Sequence, residues 1–310
     1  MALPRALGYG VVQVAVPDHP LKGTIALLVG IALAISAVPT TIKVLSDFSL
    51  LHHDIGRTVI AAALFDDVLG LALLAILVAL MEYGTLPGLP VFPALIIKSA
   101  LFFAITIGLG TRVYPHLHRR AQAFQTVAVE FSVLMLVALG YCLLAELLGI
   151  HWILGAFMAG LFFEPARVTH RAWLEMQLIV SAIAGGVLGP IFFASVGLKV
   201  DPIALVVIPG YVIALIALAL LGKIIGAGLP ALIGGLKPVE ALSVGVGMSA
   251  RGAVELIVLG IAVQAGFFAD LDGHPVLQHL FSALVLATLV TTILTPILLR
   301  FLLARQHKRE

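Results

Sequence analysis

A single cysteine, Cys142, stands in the 310 residues, so neither an intrachain disulfide nor a cysteine-based metal cluster holds the chain together. Charge is scarce as well. Asp, Glu, Lys and Arg make up 11% of the residues, where a soluble domain carries roughly 25%. The formal net charge is +2, and no basic run is interleaved with aromatics, which argues against a nucleic-acid partner. Residues 1–20 read poorly as a signal peptide: Gln13 and prolines interrupt the apolar run, and no clear small-residue cleavage site follows. What is abundant is apolar. The chain is 61% hydrophobic, with a mean hydropathy of +1.16. This composition implies an all-α polytopic membrane protein rather than a globule with one anchor. At about 30 residues per span and loop, nine or ten helices fit.

The most informative stretch is Ala61 to Ala75, where Asp66 and Asp67 interrupt an otherwise apolar run. Arg57 and Glu82 bound this run and leave 24 residues between them. At about 1.5 Å per residue that is enough to cross a hydrocarbon core of about 30 Å. The two carboxylates then fall near mid-depth. Ionisable residues there are costly and line polar paths or ion sites by default.

Hydrophobic runs place helices at about 23–45, 57–81, 93–113, 125–148, 151–163, 177–197, 203–235, 239–265 and 275–304. Residues 1–20 read as an N-terminal loop or the remnant of a lost helix. His116, His118, Arg119 and Arg120 form a short basic connector. Pro39 interrupts the first helix, and the hydroxyls of Ser36, Thr40 and Thr41 either cover the freed carbonyls or coordinate a cation. The eighth helix packs three glycines around Arg251, a composition that does not hold a straight helix well. With the C-terminal tail placed in the cytoplasm, twelve of the 18 Lys and Arg residues fall on that side and four on the other; Lys223 and Arg251 stay inside the membrane. The expected layout is a multi-pass protein of about nine spans. An interrupted helix next to a helix with buried charge occurs in both halves, a pointer to inverted repeats around a binding site.

Four positions need an account at membrane depth: Asp66, Asp67, Lys223 and Arg251. Adjacent helix positions point about 100° apart, so the two aspartates cannot face one partner equally. One can pair with Lys223 while the other faces a water-filled cavity. Such a site makes cation binding and protonation compete for the same carboxylates. The plainer alternative for Asp66 and Lys223 is an ion pair that only holds helices together. Arg251 either neutralises helix C-terminal ends or pairs with Glu255, one turn on.

At these residues the chain resembles the monovalent cation:proton antiporter superfamily, in particular its second branch of bacterial sodium/proton and potassium/proton exchangers. The resemblance covers residues 21–305. It rests on Ser36-Ala37-Val38-Pro39-Thr40-Thr41, on Gly56-Arg57 ahead of Phe65-Asp66-Asp67, and on the stretches Leu154–Leu161 and Pro190–Leu198. Gly222-Lys223 and Gly247-Met248 through Arg251-Gly252 complete it. Single pieces are weak, but their order and spacing are specific.

The resemblance implies an inverted-repeat antiporter fold in which the first and eighth helices are unwound and cross beside the aspartate helix. It implies that Asp67 binds the cation and protons, with Asp66 paired to Lys223 or sharing in binding when that pair opens. The ion-binding core would comprise 21–82 and 201–310, the latter with its basic tail, and the scaffold and dimerisation helices 83–200. An elevator-like movement of a homodimer in the inner (plasma) membrane would follow. The Asp-Asp-plus-Lys set is similar to electrogenic sodium/proton members, so Na⁺ or Li⁺ against H⁺ is the first reading. K⁺/H⁺ exchange is the alternative. A non-transporting remnant or membrane sensor is the reading from another class. No enzyme chemistry and no cofactor are implied; any metal at Asp66 and Asp67 is transported Na⁺. The family's Arg-Gly-Glu is here Arg251-Gly252-Ala253, with Glu255 two positions later. Relatives carry further helices upstream, one of them the expected counterpart of the Lys223 helix, so an N-terminally truncated fold is expected.

Overall fold

The computed structural model describes residues 1–82, 91–122, 126–150, 152–163, 170–264, 266–268 and 273–307. Among the described residues the regular structure is helical throughout. In chain order the helices are α1 (Ala2–Ala15), α2 (Lys22–Ala34), α3 (Pro39–Asp47), α4 (Asp54–Glu82), α5 (Val91–Arg112), α6 (Tyr114–Gln122), α7 (Val127–Leu147) and α8 (Trp152–Phe162). There follow α9 (His170–Ile183), α10 (Gly189–Gly197), α11 (Ala204–Val207), α12 (Pro209–Ile233), α13 (Pro238–Gly247), α14 (Ala253–Gln264), α15 (Pro275–Gln278) and α16 (Leu280–His307). Five described stretches are long and apolar enough to cross a membrane: Lys22–Asp47, Val127–Leu147, Trp173–Gly197, Pro209–Ile233 and Leu280–Arg305. The protein is an all-α polytopic membrane protein.

The helix ends follow local chemistry. Pro39 and Pro209 occupy the first turns of α3 and α12, where the missing N–H has no intrahelical acceptor to lose. Between α9 and α10 the chain widens into a π-helical turn, Ala184–Leu188, in which the Gly189 N–H bonds the Ala184 carbonyl. Pro190 follows at once and has no N–H to continue the regular ladder.

Two segments refine the sequence reading. Residues 1–20, expected as a loop or the remnant of a lost helix, contain the fourteen-residue helix α1, in keeping with the second alternative. The basic connector after residue 113 is itself the short helix α6.

The chain forms two compact units, one of residues 1–86 and 196–310, the other of residues 87–195. In the first, α1 packs against α2 and α12, and α12 against α13 and α16. Ten of the 13 residues of α2 are buried, as expected of a helix that is apolar on all sides. A cluster of Val44, Leu45, Val59, Val244, Val246 and Leu299 joins α3, α4, α13 and α16. The order helix, broken helix, helix occurs twice in this unit: α1, α2/α3, α4 and α12, α13/α14, α16. Thus α1 stands where the counterpart of the Lys223 helix was expected to be missing.

Glycines let the backbones approach. A Cβ on Gly8 would lie 2.8 Å from Gly30 Cα, and one on Gly30 would lie 2.8 Å from the Arg5 carbonyl oxygen. Contacts of this kind hold membrane helices together where apolar burial gives little drive. Gly30→Leu is expected to separate α1 from α2 at a cost of about 1–3 kcal/mol. A fall in the thermal midpoint of the detergent-solubilised protein would register it.

Candidate functional site: two crossing broken helices and a buried ion pair

The first break lies between α2 and α3. Ile35 turns extended (φ −71°, ψ 140°), and Pro39 starts the helix anew a few residues later. The second break covers Met248 to Gly252, between α13 and α14. The two breaks are bonded to each other. The Ala37 N–H donates to the Ala250 carbonyl at 2.7 Å. The Ser36 hydroxyl donates to the Met248 carbonyl at 2.8 Å, and the Thr41 hydroxyl to the Gly247 carbonyl at 2.7 Å. A Cβ on Gly252 would lie 2.9 Å from Ala37 Cβ, so the crossing admits little more than backbone there.

Arg251 reaches out of the second break to the end of the first helix. Its Nη1 and Nη2 donate to the carbonyls of Ala32 and Leu33, each at 2.6 Å. Those carbonyls sit in the last turn of α2, where the helix carries partial negative charge. Nη1 also meets Glu255 Oε1 at 2.8 Å, and both side chains are enclosed. Glu255 lies in the first turn of α14, the positive end of that helix. The Thr292 hydroxyl on α16 donates to the Arg251 carbonyl at 2.8 Å. Both expectations for Arg251 therefore describe one arrangement: it caps α2 and pairs with Glu255.

Lys223 Nζ donates to Asp66 Oδ2 at 2.8 Å, between α12 and α4. The residues are 2% and 7% exposed. From Asp54, at the start of α4, the helix rises about 18 Å to Asp66. Both residues of the pair line a cavity of about 650 Å³. Met248, in the second break, lines it too. One turn beyond Asp66, a Cβ on Gly70 would touch Ile35 of the first break at 3.6 Å. The pair is therefore beside the crossing.

Ser36, Thr41, Asp66, Lys223, Arg251 and Glu255 are all buried in this one unit. Ser36 and Thr41 commit their protons to carbonyls, so what each has to offer a cation is its oxygen lone pairs. Thr40 is exposed and does not join them. The side chain of Asp67 lies outside the described residues. Sequence reasoning missed Asp54, Arg57 and Thr58, which line the same cavity. The signal was available: positions 54, 58, 62 and 66 recur at helical spacing on one stripe of α4. It also missed the main-chain bond from Ala37 to Ala250, which leaves no residue-type signature.

Residues 2–305 match the family described as "Sodium/hydrogen exchanger, transmembrane". The chain belongs to this family. A Na⁺/H⁺ antiporter of Enterococcus hirae is 28% identical over 276 residues, 89% of this chain and 69% of the relative. The Na⁺/H⁺-K⁺ antiporter GerN of Bacillus cereus is 28% identical over 283 residues, 91% of this chain and 69% of the relative. Cation/H⁺ antiporter 15 of Arabidopsis thaliana is 29% identical over 287 residues, which are 90% of this chain but 33% of that protein. The family is one of transporters, and the broken helices and buried charges described above fall within the matched residues.

Arg251→Ala would strip the end of α2 of its donors and leave the buried Glu255 carboxyl without its cation. Removing one partner of a buried pair costs about 3–5 kcal/mol. Arg251→Lys should recover only part of this, because an ammonium lacks the planar fork that spans two carbonyls and a carboxylate. Thermal unfolding of the two variants in one detergent would rank them.

Proposed function

We propose that the chain is a secondary active transporter that exchanges a monovalent cation, Na⁺ or Li⁺, for H⁺ by alternating access. The observation that carries this is the Asp66–Lys223 pair, buried yet part of a cavity wall beside two crossing broken helices. An ammonium and a carboxylate can remain in a low-dielectric interior only while they neutralise each other. Anything that takes the carboxylate away from Lys223, a metal ion or a proton, must compensate for it. A site of this kind binds one or the other.

In this reading Asp67 carries the cation or the proton in turn. Asp66 is held by Lys223 and joins the cation when that pair opens. Ser36 and Thr41 contribute oxygen lone pairs at the crossing, the exposed Thr40 does not take part, and Arg251 with Glu255 keeps the broken helices in place. The unit of residues 1–86 and 196–310 serves as the ion-binding core, and that of 87–195 as the scaffold through which two copies dimerise. The cavity wall includes Asp54 and Arg57 at the start of α4, on the side that the Lys and Arg distribution assigns to the cytoplasm. The same distribution puts the C-terminus there, with the protein in the inner (plasma) membrane.

The names of the relatives, Na⁺/H⁺ antiporters and cation/H⁺ antiporters, favour cation:proton exchange. One name includes K⁺, which keeps K⁺/H⁺ exchange as the second reading. Neither the hydroxyls nor the carboxylates select between the two ions by chemistry alone, since both ions take oxygen ligands.

In proteoliposomes with an imposed pH gradient and a pH-sensitive dye, Na⁺ addition should dissipate the gradient more strongly than K⁺ addition. The reverse order would move the assignment to K⁺. Asp67→Asn should abolish the response to either ion while the size-exclusion profile stays that of the parent. Parental exchange by that variant would remove the proposal.

A further inference from the structure

The unit of residues 87–195 holds a cavity of about 490 Å³ along the seam of α5, α6 and α7. Its wall is apolar, with Leu109 and Val113 on α5 and its end, Leu117 on α6, and Leu136 and Leu143 on α7. Leu136 is 68% exposed. From Val133 to Leu147 the wall follows α7 for about 21 Å. Among the described residues the lining has two side-chain polar groups, those of Tyr114 and Tyr141. The Tyr141 hydroxyl is already spent on the Thr106 carbonyl at 3.0 Å. The lining is that of an apolar slot running along α7, a helix long and apolar enough to cross a membrane.

Basic side chains gather at one end of the slot. α5 closes on Arg112, directly before Val113. α6 carries His116 and Arg120, the latter one turn beyond Leu117. Arg112, His116 and Arg120 are exposed. His116 Nδ1 lies 2.6 Å from the Arg112 carbonyl oxygen, which fixes the ring beside the end of α5. Among the described residues, an acid near this end is Glu130 in the first turn of α7, half-buried. Arg171, farther on, is bound to Glu175 at 2.8 Å. Tyr114 sits where the apolar wall meets the basic end, the position aromatic rings favour at a bilayer interface.

We propose that this slot is a binding site for an anionic phospholipid of the bilayer. One acyl chain lies along Leu109, Leu136 and Leu143, and the phosphate rests against Arg112, His116 and Arg120. An apolar slot alone would accept any lipid chain. The cationic groups at one end select the headgroup, and they lie on the side that the Lys and Arg distribution assigns to the cytoplasm. The slot shares no lining residue with the cavity at Asp66, and lipid binding there does not depend on the exchange reaction.

The test uses the full chain, solubilised and incubated with an equimolar mixture of phosphatidylglycerol and phosphatidylcholine, with retained lipid read by native mass spectrometry. Phosphatidylglycerol should be retained in preference. Arg112→Gln with Arg120→Gln should lower its affinity about thirtyfold, at about 1 kcal/mol per basic residue near the surface. Leu136→Trp, which fills the slot from an exposed position, should lower retention of both lipids. Equal retention of the two lipids by the parent, or an unchanged preference in the double variant, would overturn the proposal. So would a photo-crosslinker at position 136 that, in native membranes, captures a second copy or another polypeptide instead of lipid.

Discussion

A helix broken inside a bilayer frees backbone groups that no water can take up, so each must find a partner within the protein. Here the two broken helices supply partners for one another. Ala37 donates to Ala250, and Ser36 and Thr41 donate to Met248 and Gly247. The carbonyls of Ala32 and Leu33 go to Arg251. Each break satisfies groups of the other, and most of the buried polar side chains near the crossing can be assigned to this one requirement. The small residues follow from the same need. Gly247 lies against Thr41 and Gly252 against Ala37, where a side chain would hold the backbones too far apart to bond.

The helices around the crossing are placed by close approach as well as by charge. Gly8 and Gly30 bring α1 onto α2, and Pro4 meets Gly222 on α12 next to Lys223. A Cβ on Gly245 would lie 2.6 Å from the Ile224 carbonyl oxygen, so α13 sits tight on α12. Lys223 is thereby carried on a helix wedged between α1 and α13, with little freedom to move its backbone. Asp66 arrives from α4, which touches both α2 and α13. The ion pair thus closes a ring of helices that the glycines have already drawn together.

Much of this was legible in the sequence. Asp66 and Lys223 stand out because charge in an apolar run is costly, and that cost is a property of residue type. The breaks stand out because Pro39 and a cluster of glycines are poor helix formers. What was not legible has a different character. The bond between Ala37 and Ala250 is made by main-chain groups that nearly every residue possesses. Whether a hydroxyl faces a cation or a carbonyl depends on rotation about one bond, so Thr40 and Thr41 looked alike while one is exposed and the other buried. The sequence leaves α1 undecided between a loop and a helix remnant because prolines and Gln13 obscure its apolar face, although Pro4, Gly8 and Val12 recur at helical spacing and are its buried residues. The recurrence was partly visible in the sequence, as an interrupted helix beside a charged one in each half, and α1 completes the pattern of helix, broken helix, helix.

The two buried ion pairs have similar chemistry and different surroundings, and under the proposed exchange the surroundings suit only one of them to take part in transport. Arg251 donates to Glu255 and to two backbone carbonyls at the end of a helix, where no helical N–H reaches them. Releasing it would leave three acceptors without donors at once in a buried region. Lys223 donates to Asp66, and both partners border a cavity large enough for water and a solvated ion. Opening that pair transfers each charge toward solvent rather than into apolar surroundings, so the desolvation penalty that locks Arg251 is partly lifted at Lys223. A protein that must bind and release a cation at mid-membrane needs one fixed pair to keep its broken helices together and one labile pair to yield to the ion. In the proposed exchange the crossing provides the first and the cavity wall the second.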